Sequence, residues 1–270
     1  MRLTVVVDNN TCTNQYYCGE PAACYYIETG DKRILFDTGY SDLLLKNAER
    51  LKIDLSNLTQ IVLSHGHDDH TNGLKYLEET VGLSRVELIS HPDCFLPKYT
   101  GDGAFLGAPY TRDEVTQKTN YHPCRTFYKI TDDLIFLGEI PRTTDFEARN
   151  PIGKLRQGEN WVDDYAKDDT ALAYRTSRGI FIITGCSHSG ICNIIEYAKA
   201  VCNDQRVLGA LGGFHLLTDD DRLEKTIQYF EKNQIAQLYP CHCVSLLAKA
   251  KMMAKLPVFE VGVGTTISLP

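Results

Sequence analysis

Hydrophobic and polar positions follow two patterns along most of this chain. Short apolar runs bounded by Gly, Pro, Asn or Asp predict buried strands. Longer segments with apolar residues three or four positions apart predict amphipathic helices. The predicted strands are 3–7, 24–28, 33–37, 60–64, 86–90, 126–130, 134–138, 171–176, 179–185, 207–213, 235–240 and 258–264, and the predicted helices are 41–51, 74–83, 191–201, 222–232 and 245–254.

The order of these elements repeats once. A predicted hairpin followed by alternating helices and strands occurs in each half, and no linker or low-complexity segment separates the halves. Mixed sheets covered by helices are typical of an α/β layered fold. Because 270 residues fall within the range of one large domain, we expect residues 1–270 to form a single domain of two similar halves.

Residues 97–125 break both patterns. The tract is rich in Gly, Pro, Thr, Asp and Tyr and has no sustained period. Irregular tracts of this length are typical of a functional lid or insertion. A mobile surface loop is the alternative. Residues 160–170, later in the chain, are also expected to form a loop.

Composition narrows the classes of function. The charge sum of 28 basic and 35 acidic residues is −7, which disfavours a nucleic-acid surface built on bulk positive charge. No apolar window approaches the roughly 18 residues that span a bilayer, and no secretory leader is apparent, so we expect a cytoplasmic protein without membrane association. The ten cysteines are then expected to be reduced thiols.

The densest chemical signal is SHGHDDH at residues 64–70, directly after a predicted buried strand. In extended backbone His65 and His67 point the same way and can share one metal ion. Asp69 and His70, at the turn into the next helix, can address a second ion. Imidazole and carboxylate suit zinc, manganese or ferrous iron. A mononuclear site that uses part of this set, and a polar loop of unrelated histidines, are the alternatives.

These residues fit the His-x-His-x-Asp-His signature, and FDTG (36–39) fits the upstream motif, so the chain resembles the metallo-β-lactamase superfamily. The further segments VVVDNNT near the start, GEIPR (138–142), ITGCSHSGI (183–191), LGGFHL (211–216) and YPCHC (239–243) resemble a branch that contains dihydropterin–ribofuranosyl-aminobenzene phosphate synthases and metal-dependent hydrolases. The resemblance implies an αββα sandwich, in which two mixed sheets carry helices on both outer faces and bind metal at one edge.

The resemblance also implies a set of site residues. Two divalent ions are expected, zinc first and Mn²⁺, Fe²⁺ or Mg²⁺ as alternatives. Their expected ligands are His65, His67, Asp69, His70, Cys186, His188 and His242. Cys186 stands where the family has a bridging Asp, and it is either a thiolate ligand or an inert buried thiol. His215 matches a histidine that handles protons, and Asp37 is expected to hold a metal-binding imidazole through its N–H.

Other residues near these motifs have less specific readings. His91 contacts substrate or forms a turn with Pro92, and Arg142 meets an anionic group or makes a surface ion pair. Cys241 and Cys243 are expected to point away from His242 and to be structural. Gly19-Glu20-Pro21-Ala22 lacks the His that the branch commonly has there, so no substrate contact is assigned to that loop.

The expected activity is metal-dependent hydrolysis of a small anionic metabolite that contains a phosphate or ester group. A metal-activated hydroxide would attack, with Asp69 and His215 as catalytic residues. One alternative is a pterin–arylamine phosphate synthase that uses the metal as a Lewis acid, and another is an iron-dependent redox enzyme. The partner is a small molecule, and the sequence gives no indication of oligomeric state.

Overall fold

Buried apolar runs form strands and amphipathic segments form helices over most of the chain. The structure, a computed structural model, describes all residues from 1 to 270. The strands are β1 (Arg2–Val7), β2 (Cys24–Thr29), β3 (Lys32–Phe36), β4 (Gln60–Val62), β5 (Glu87–Ser90), β6 (Lys98–Tyr99), β7 (Asn120–Pro123), β8 (Tyr128–Lys129), β9 (Leu134–Phe136), β10 (Gly153–Gln157), β11 (Asn160–Asp164), β12 (Ala171–Thr176), β13 (Gly179–Thr184), β14 (Val207–Gly212), β15 (Gln237–Pro240) and β16 (Thr266–Ser268). The helices are α1 (Leu43–Leu51), α2 (Asp68–Thr71), α3 (Leu74–Val81), α4 (Arg112–Lys118), α5 (Ile191–Cys202), α6 (Asp221–Lys232) and α7 (Leu246–Met253), with a 3-10 helix over Leu55–Asn57.

The first of two compact units comprises residues 1–124, 152–164 and 262–270. Its main sheet has seven strands in the order β16-β1-β2-β3-β4-β5-β7, and a separate sheet has the order β11-β10-β6. Leu44 of α1 and Leu77 of α3 pack with Leu35, Ile61 and Leu88 of the main sheet in one apolar cluster. Burial of these amphipathic faces stabilises the unit, at about 25 cal/mol per Å² of apolar surface removed from water.

The second unit comprises residues 125–151 and 165–261. Its sheet has six strands in the order β15-β14-β13-β12-β9-β8. Every residue of β13 is buried, which explains its unbroken apolar sequence. Ile194 of α5 and Phe230 of α6 belong to the same apolar cluster as Ile182 of β13. Asp220 caps α6 by accepting a hydrogen bond from the Leu223 N–H.

Both units contain the same strand pattern. An antiparallel pair, β2–β3 or β12–β13, is followed by two strands that pair in parallel, β4 and β5 or β14 and β15. The carboxyl ends of three parallel strands therefore lie along one edge of each main sheet, where α/β proteins commonly place functional groups. The predicted fold class, α/β with mixed sheets and helices, is confirmed.

The prediction of an irregular tract over residues 97–125 was wrong in part, because the tract contains β6, α4 and β7. Helix α4 begins with a capping box. The Thr111 side chain accepts a hydrogen bond from the Glu114 N–H, and the Glu114 side chain accepts one from the Thr111 N–H. Only Val115 of α4 is buried. A helix with one buried residue has no apolar period, so the hydrophobic pattern could not indicate it.

Two further predictions about strands were wrong. Residues 258–264 form no strand, and the last strand is β16. Gly264 adopts a positive φ of 93°, which ends extended structure before Thr265. Residues 160–164, expected to be loop, form β11 and pair with β10. Most side chains of these two strands are exposed or half-buried, so they lack the apolar alternation that predicts a strand.

None of the helices combines the length and apolar character that crossing a membrane requires.

Candidate metal centre

Three imidazoles of the first unit lie together after β4. His65 and His70 are fully buried and His67 is 7% exposed. The Nε2 of His65 lies 2.9 Å from the Nδ1 of His67, and the His65 and His70 ring centroids are 4.2 Å apart. The structure thus brings together the three histidines of the motif. Their role as metal ligands stays a prediction.

A hydrogen-bond chain fixes which nitrogens of these rings face one another. The Ser64 hydroxyl donates to Asp37 Oδ2 at 2.7 Å, and His65 Nδ1 lies 2.9 Å from the same hydroxyl oxygen. His70 Nδ1 lies 2.7 Å from Asp37 Oδ2 and donates to this carboxylate. With both Nδ1 atoms occupied as donors, Nε2 is the nitrogen of His65 and of His70 that can coordinate a metal ion. Ser64 was not anticipated from the sequence.

The carboxylates around His70 favour positive charge there. Burial lowers the pKa of the His70 imidazole, but the charges of Asp69 and Asp37 outweigh burial and hold this pKa well above its usual range. Asp69 Oδ2 lies 3.4 Å from His70 Nε2, on the side of the ring opposite Asp37. The same field that favours a protonated imidazole favours a bound cation. The site therefore suits a metal ion electrostatically.

Glycine is required between the first two histidines. A Cβ on Gly66 would lie 1.8 Å from the carbonyl oxygen of Cys94 and 2.9 Å from Cε of Lys98. Lys98 is buried and its Nζ lies 3.3 Å from Oδ2 of the buried Asp164. This ion pair therefore packs against the loop that carries His65 and His67. No pattern in the sequence indicates this ion pair.

The second unit places its candidate residues after three neighbouring parallel strands. Cys186 and His188 follow β13, His215 follows β14 and His242 follows β15. The Nε2 of His242 lies 3.2 Å from Sγ of Cys186, and the His188 and His215 rings are 4.5 Å apart. The structure thus brings these four residues together, and their assignment as ligands or catalysts stays a prediction.

Four of the chain's ten non-glycine residues with positive φ lie after the central strands of the two main sheets. Asp37, Ser187, His215 and His242 are non-glycine residues with φ values of 60°, 58°, 48° and 50°. Such left-handed conformations cost about 1–3 kcal/mol each and persist where the surrounding structure holds them in place. This strain is typical of functional sites. The positive φ of His242 also determines the direction in which the Cys243 side chain points.

The expectation that Cys243 points away from His242 depended on an extended segment, which the structure does not have. Because His242 has a positive φ, residues 241–243 are not extended, and the Cys243 thiol donates to the Cys186 carbonyl oxygen at 3.5 Å. Cys186 Sγ, Cys243 Sγ and a ring nitrogen of His215 all lie within 4.8 Å of one another. Burial raises the pKa of the Cys243 thiol, but hydrogen bonds with Cys186 and His215 outweigh burial and hold this pKa well below its usual range.

Asp169 is a site residue that sequence reasoning missed. It is fully buried, and its Oδ2 accepts a hydrogen bond from the Ser189 N–H at 2.9 Å and another from the Ser189 hydroxyl. Burial raises the pKa of the Asp169 carboxyl to about 6, against the lowering effect of these bonds. Asp169 therefore holds the loop on which His188 lies. Its only sequence signal was an acidic run, DDYAKDD, that also fits a solvated loop.

Two other residues have structural contacts. Nδ1 of the buried His91 accepts a hydrogen bond from the Asp93 N–H at 3.1 Å, as the turn interpretation expects. The Arg142 guanidinium donates to the backbone carbonyls of Ala148, Tyr165 and Ala166 rather than to a surface carboxylate, and its contact with an anionic group stays a prediction. Arg142 instead ties together two loops of the second unit.

The donor chemistry fits divalent metal ions. Buried imidazoles, a carboxylate and thiols are the groups that zinc binds in proteins, and imidazole and carboxylate also suit manganese and iron. In the first unit two of the imidazoles have their outer nitrogens held by Asp37 and Ser64, which is the arrangement that orients metal ligands. Each unit by itself therefore carries a candidate set.

Comparison with known proteins agrees with this chemistry. Residues 19–201 match the family model of the metallo-beta-lactamase superfamily. The chain is 35% identical over 251 residues to an uncharacterized protein of Methanocaldococcus jannaschii, with 93% of each chain covered. It is 30% identical over 233 residues to a 7,8-dihydropterin-6-methyl-4-(beta-D-ribofuranosyl)-aminobenzene-5'-phosphate synthase of the same organism, with 82% of this chain and 79% of the synthase covered. The crystal structure of Tm1679, a metal-dependent hydrolase of the beta-lactamase superfamily, superimposes with a TM-score of 0.86 at 28% identity and covers 100% of this chain and 99% of its own.

Proposed function

Because the chain belongs to the metallo-β-lactamase superfamily, we propose that it is a metal-dependent hydrolase of a small anionic metabolite with a phosphate or ester group. The observation that carries this proposal is the buried His65, His67 and His70 cluster with its Asp37–Ser64 support. Metal-binding imidazoles commonly have their other ring nitrogen held by a carboxylate or a neighbouring polar group, as His70 and His65 have here. The likeness to a metal-dependent hydrolase over the whole chain supports the reaction class.

Two divalent ions, zinc first, are the proposed cofactors. The ligands are His65, His67, Asp69 and His70 of the first unit and Cys186, His188 and His242 of the second. When bound, such ions lower the pKa of water and stabilise developing negative charge. Asp37 and Ser64 orient the first set, and Asp169 orients the loop of His188 through Ser189.

Asp69 is the proposed acceptor of the proton that the attacking water loses. Its side chain is 26% exposed while that of His70 is fully buried, so the carboxylate lies on the open side of the cluster. Asp69 Oδ2 already faces His70 Nε2, and its negative charge favours proton acceptance at a carboxylate oxygen. Its role combines metal binding with orientation of the nucleophile.

His215 is the proposed proton donor to the leaving group. It lines a cavity of about 220 Å³ together with Leu216, Leu217, Thr218, Asp220 and Arg222. The Nε atom of Arg222 is buried and makes no hydrogen bond within the protein. A guanidinium at this position favours an anionic group beside His215, because its planar fork matches phosphate and carboxylate. Arg222 is thus a second candidate, beside Arg142, for contact with an anionic group of the substrate.

The test is a substrate panel with metal-reconstituted protein. Aryl phosphate monoesters, phosphodiesters, carboxylic esters and a lactone are assayed with Zn²⁺, Mn²⁺, Fe²⁺ or Mg²⁺. We expect turnover of a phosphate or ester class, a loss of at least about 100-fold in His67→Ala, and a smaller loss in kcat in His215→Gln. Fully metallated protein that hydrolyses none of these classes would contradict the proposal.

A second candidate function, pterin–arylamine coupling, is favoured by an aromatic cluster in the first unit. Tyr99 makes edge contacts with Phe105 and Trp161 at centroid distances of 5.3 and 4.7 Å, and the last two are more than half exposed. Gly107, two residues after Phe105, forms a β-bridge with His67. Exposed aromatic rings tied to the histidine loop suit a planar ring substrate. The relative named as a synthase supports the same reading.

Coupling would form a C–N bond between the pterin methyl carbon and the arylamine, with loss of diphosphate. Dihydropterin diphosphate and an arylamine phosphate are incubated with the metallated protein, and release of diphosphate with formation of the joined product is measured. Trp161→Ala should raise KM at least about threefold, while Tyr16→Ala, at an exposed tyrosine elsewhere, should not. Absence of coupled product removes this candidate without affecting the hydrolase proposal.

A further inference from the structure

The second unit contains a sulfur that the proposed catalytic set does not use. Cys243 lies beside Cys186, and its thiol contacts the Cys186 backbone at 3.5 Å. We propose that Cys186 and Cys243 form a two-thiolate site that binds a soft divalent cation, zinc or cadmium, with Cys243 as an additional ligand. The proposal shares Cys186 with the proposed catalytic set, but it does not depend on any turnover.

The distances suit one ion between two sulfurs. The two sulfur atoms and a ring nitrogen of His215 lie within 4.8 Å of one another. Two sulfurs bound to one tetrahedral zinc ion at about 2.3 Å lie about 3.8 Å apart. The pair therefore needs to approach by about 1 Å at most to hold a shared cation. His242, with its Nε2 at 3.2 Å from Cys186 Sγ, offers an imidazole at the same edge.

Residue 213 is a glycine, and its lack of a side chain leaves room for the Cys243 thiol. A Cβ on Gly213 would lie 2.4 Å from Cys243 Sγ and 2.5 Å from the carbonyl oxygen of Gly185. Only glycine therefore fits at residue 213 while Cys243 keeps its position against Cys186. The positive φ of His242 turns Cys243 toward the same place. Several backbone features thus converge on the placement of one thiol.

The chemistry of the pair selects for soft ions. Thiolate ligands favour zinc and cadmium over magnesium and manganese, which favour oxygen. The neighbouring His215 nitrogen can hydrogen-bond to the Cys243 sulfur, and such a contact stabilises thiolate charge. Cys243 is partly accessible, whereas Cys186 is buried, so an ion can approach from the side of Cys243. The predicted consequence is that this protein holds zinc more tightly than an all-oxygen and imidazole set would.

X-ray absorption at the zinc edge of the reconstituted wild-type protein is the first test, because it needs no variant. We expect sulfur neighbours at about 2.3 Å, and we expect their number per zinc to fall by about half in Cys243→Ser and in Cys186→Ser. Zinc surrounded by nitrogen and oxygen alone overturns the proposal. An unchanged sulfur number in folded Cys243→Ser also overturns it.

Cadmium titration of the reduced protein gives an independent readout. Thiolate-to-cadmium charge transfer should produce ultraviolet absorption whose amplitude falls by about half in Cys243→Ser and disappears in the double variant with Cys186→Ser. Cys202→Ala, which removes a buried thiol at the end of α5, is the matched control and should keep the full amplitude. Loss of amplitude in the control, or full amplitude in Cys243→Ser, contradicts the assignment. If the substrate panel fails while sulfur coordination is found, the hydrolase proposal fails and this one stands.

Discussion

The Oδ2 atom of Asp37 accepts a hydrogen bond from Nδ1 of His70 at 2.7 Å, and both side chains are fully buried. The two residues are 33 positions apart in the chain. Asp37 directly follows β3, whereas His70 lies in α2, after the neighbouring parallel strand β4. This bond fixes the orientation and tautomer of one imidazole of the candidate centre. The expectation that Asp37 holds a metal-binding imidazole agrees with this contact.

Replacing the carboxylate should weaken metal binding without removing a ligand. We expect Asp37→Asn to bind zinc about 10–100-fold more weakly, because the amide cannot accept from His70 and Ser64 as the carboxylate does. Competition with a chromophoric chelator measures the change. Asp42→Asn, which removes a carboxylate exposed beside Lys46, is the control and should bind zinc like the wild type. Wild-type affinity in Asp37→Asn would show that the Asp37–His70 bond has no part in metal binding.

His67→Ala should remove metal and leave the fold intact. His67 Nδ1 lies 2.9 Å from His65 Nε2, so its loss creates a small cavity and leaves the Asp37–His70 bond in place. Elemental analysis after dialysis measures the metal, and circular dichroism checks the fold. His122→Ala, at a partly exposed histidine beside Glu87, is the matched control and should retain full metal content. Unchanged metal in His67→Ala would refute the assignment of this cluster.

His188→Ala should lower the metal content from two ions to one. His188 is a proposed metal ligand of the second unit, so its loss removes one imidazole donor. Metal content and the stepwise heat of zinc binding by calorimetry measure the stoichiometry. Ser189→Ala, which keeps His188 and the backbone bond to Asp169 but removes the hydroxyl bond, should retain two ions at reduced affinity. Two ions at full occupancy in His188→Ala would transfer the ligand role to another residue.

The buried Lys98–Asp164 pair predicts a large effect on stability. Lys98→Met should lower the free energy of unfolding by about 3–5 kcal/mol, because Asp164 is left as a buried charge without this partner. Adding Asp164→Leu should recover most of the loss. Lys154→Met, which breaks the exposed pair with Asp163, should cost about 1 kcal/mol or less. Urea unfolding measures all three, and equal losses for the two lysine variants would contradict the prediction.

The two compact units should unfold together. The chain passes from one unit to the other at residues 124/125, 151/152, 164/165 and 261/262, so no single linker separates them. We expect one urea transition with coincident fluorescence and circular dichroism signals, as cooperative single domains show. Two transitions would contradict the prediction that residues 1–270 form a single domain.

The hydrophobic pattern by itself determined most strands and helices, since their buried faces repeat with the period of each element. The spacing of His65, His67 and His70 also predicted their cluster, because residues within a six-residue segment after a buried strand lie close together through local geometry. The pattern did not indicate α4 or the β10–β11 hairpin, whose side chains are largely exposed. Exposed elements leave no apolar period in the sequence.

Only the tertiary structure decided which distant side chains meet. Cys243 reaches Cys186, 57 residues earlier, because the positive φ of His242 turns it and Gly213 leaves space for it. Lys98 pairs with Asp164 across 66 residues through the small sheet of β6, β10 and β11. Such contacts depend on strand register and on backbone turns at strand ends. Neither property is set by the residue types in a short window, so the sequence alone could not specify them.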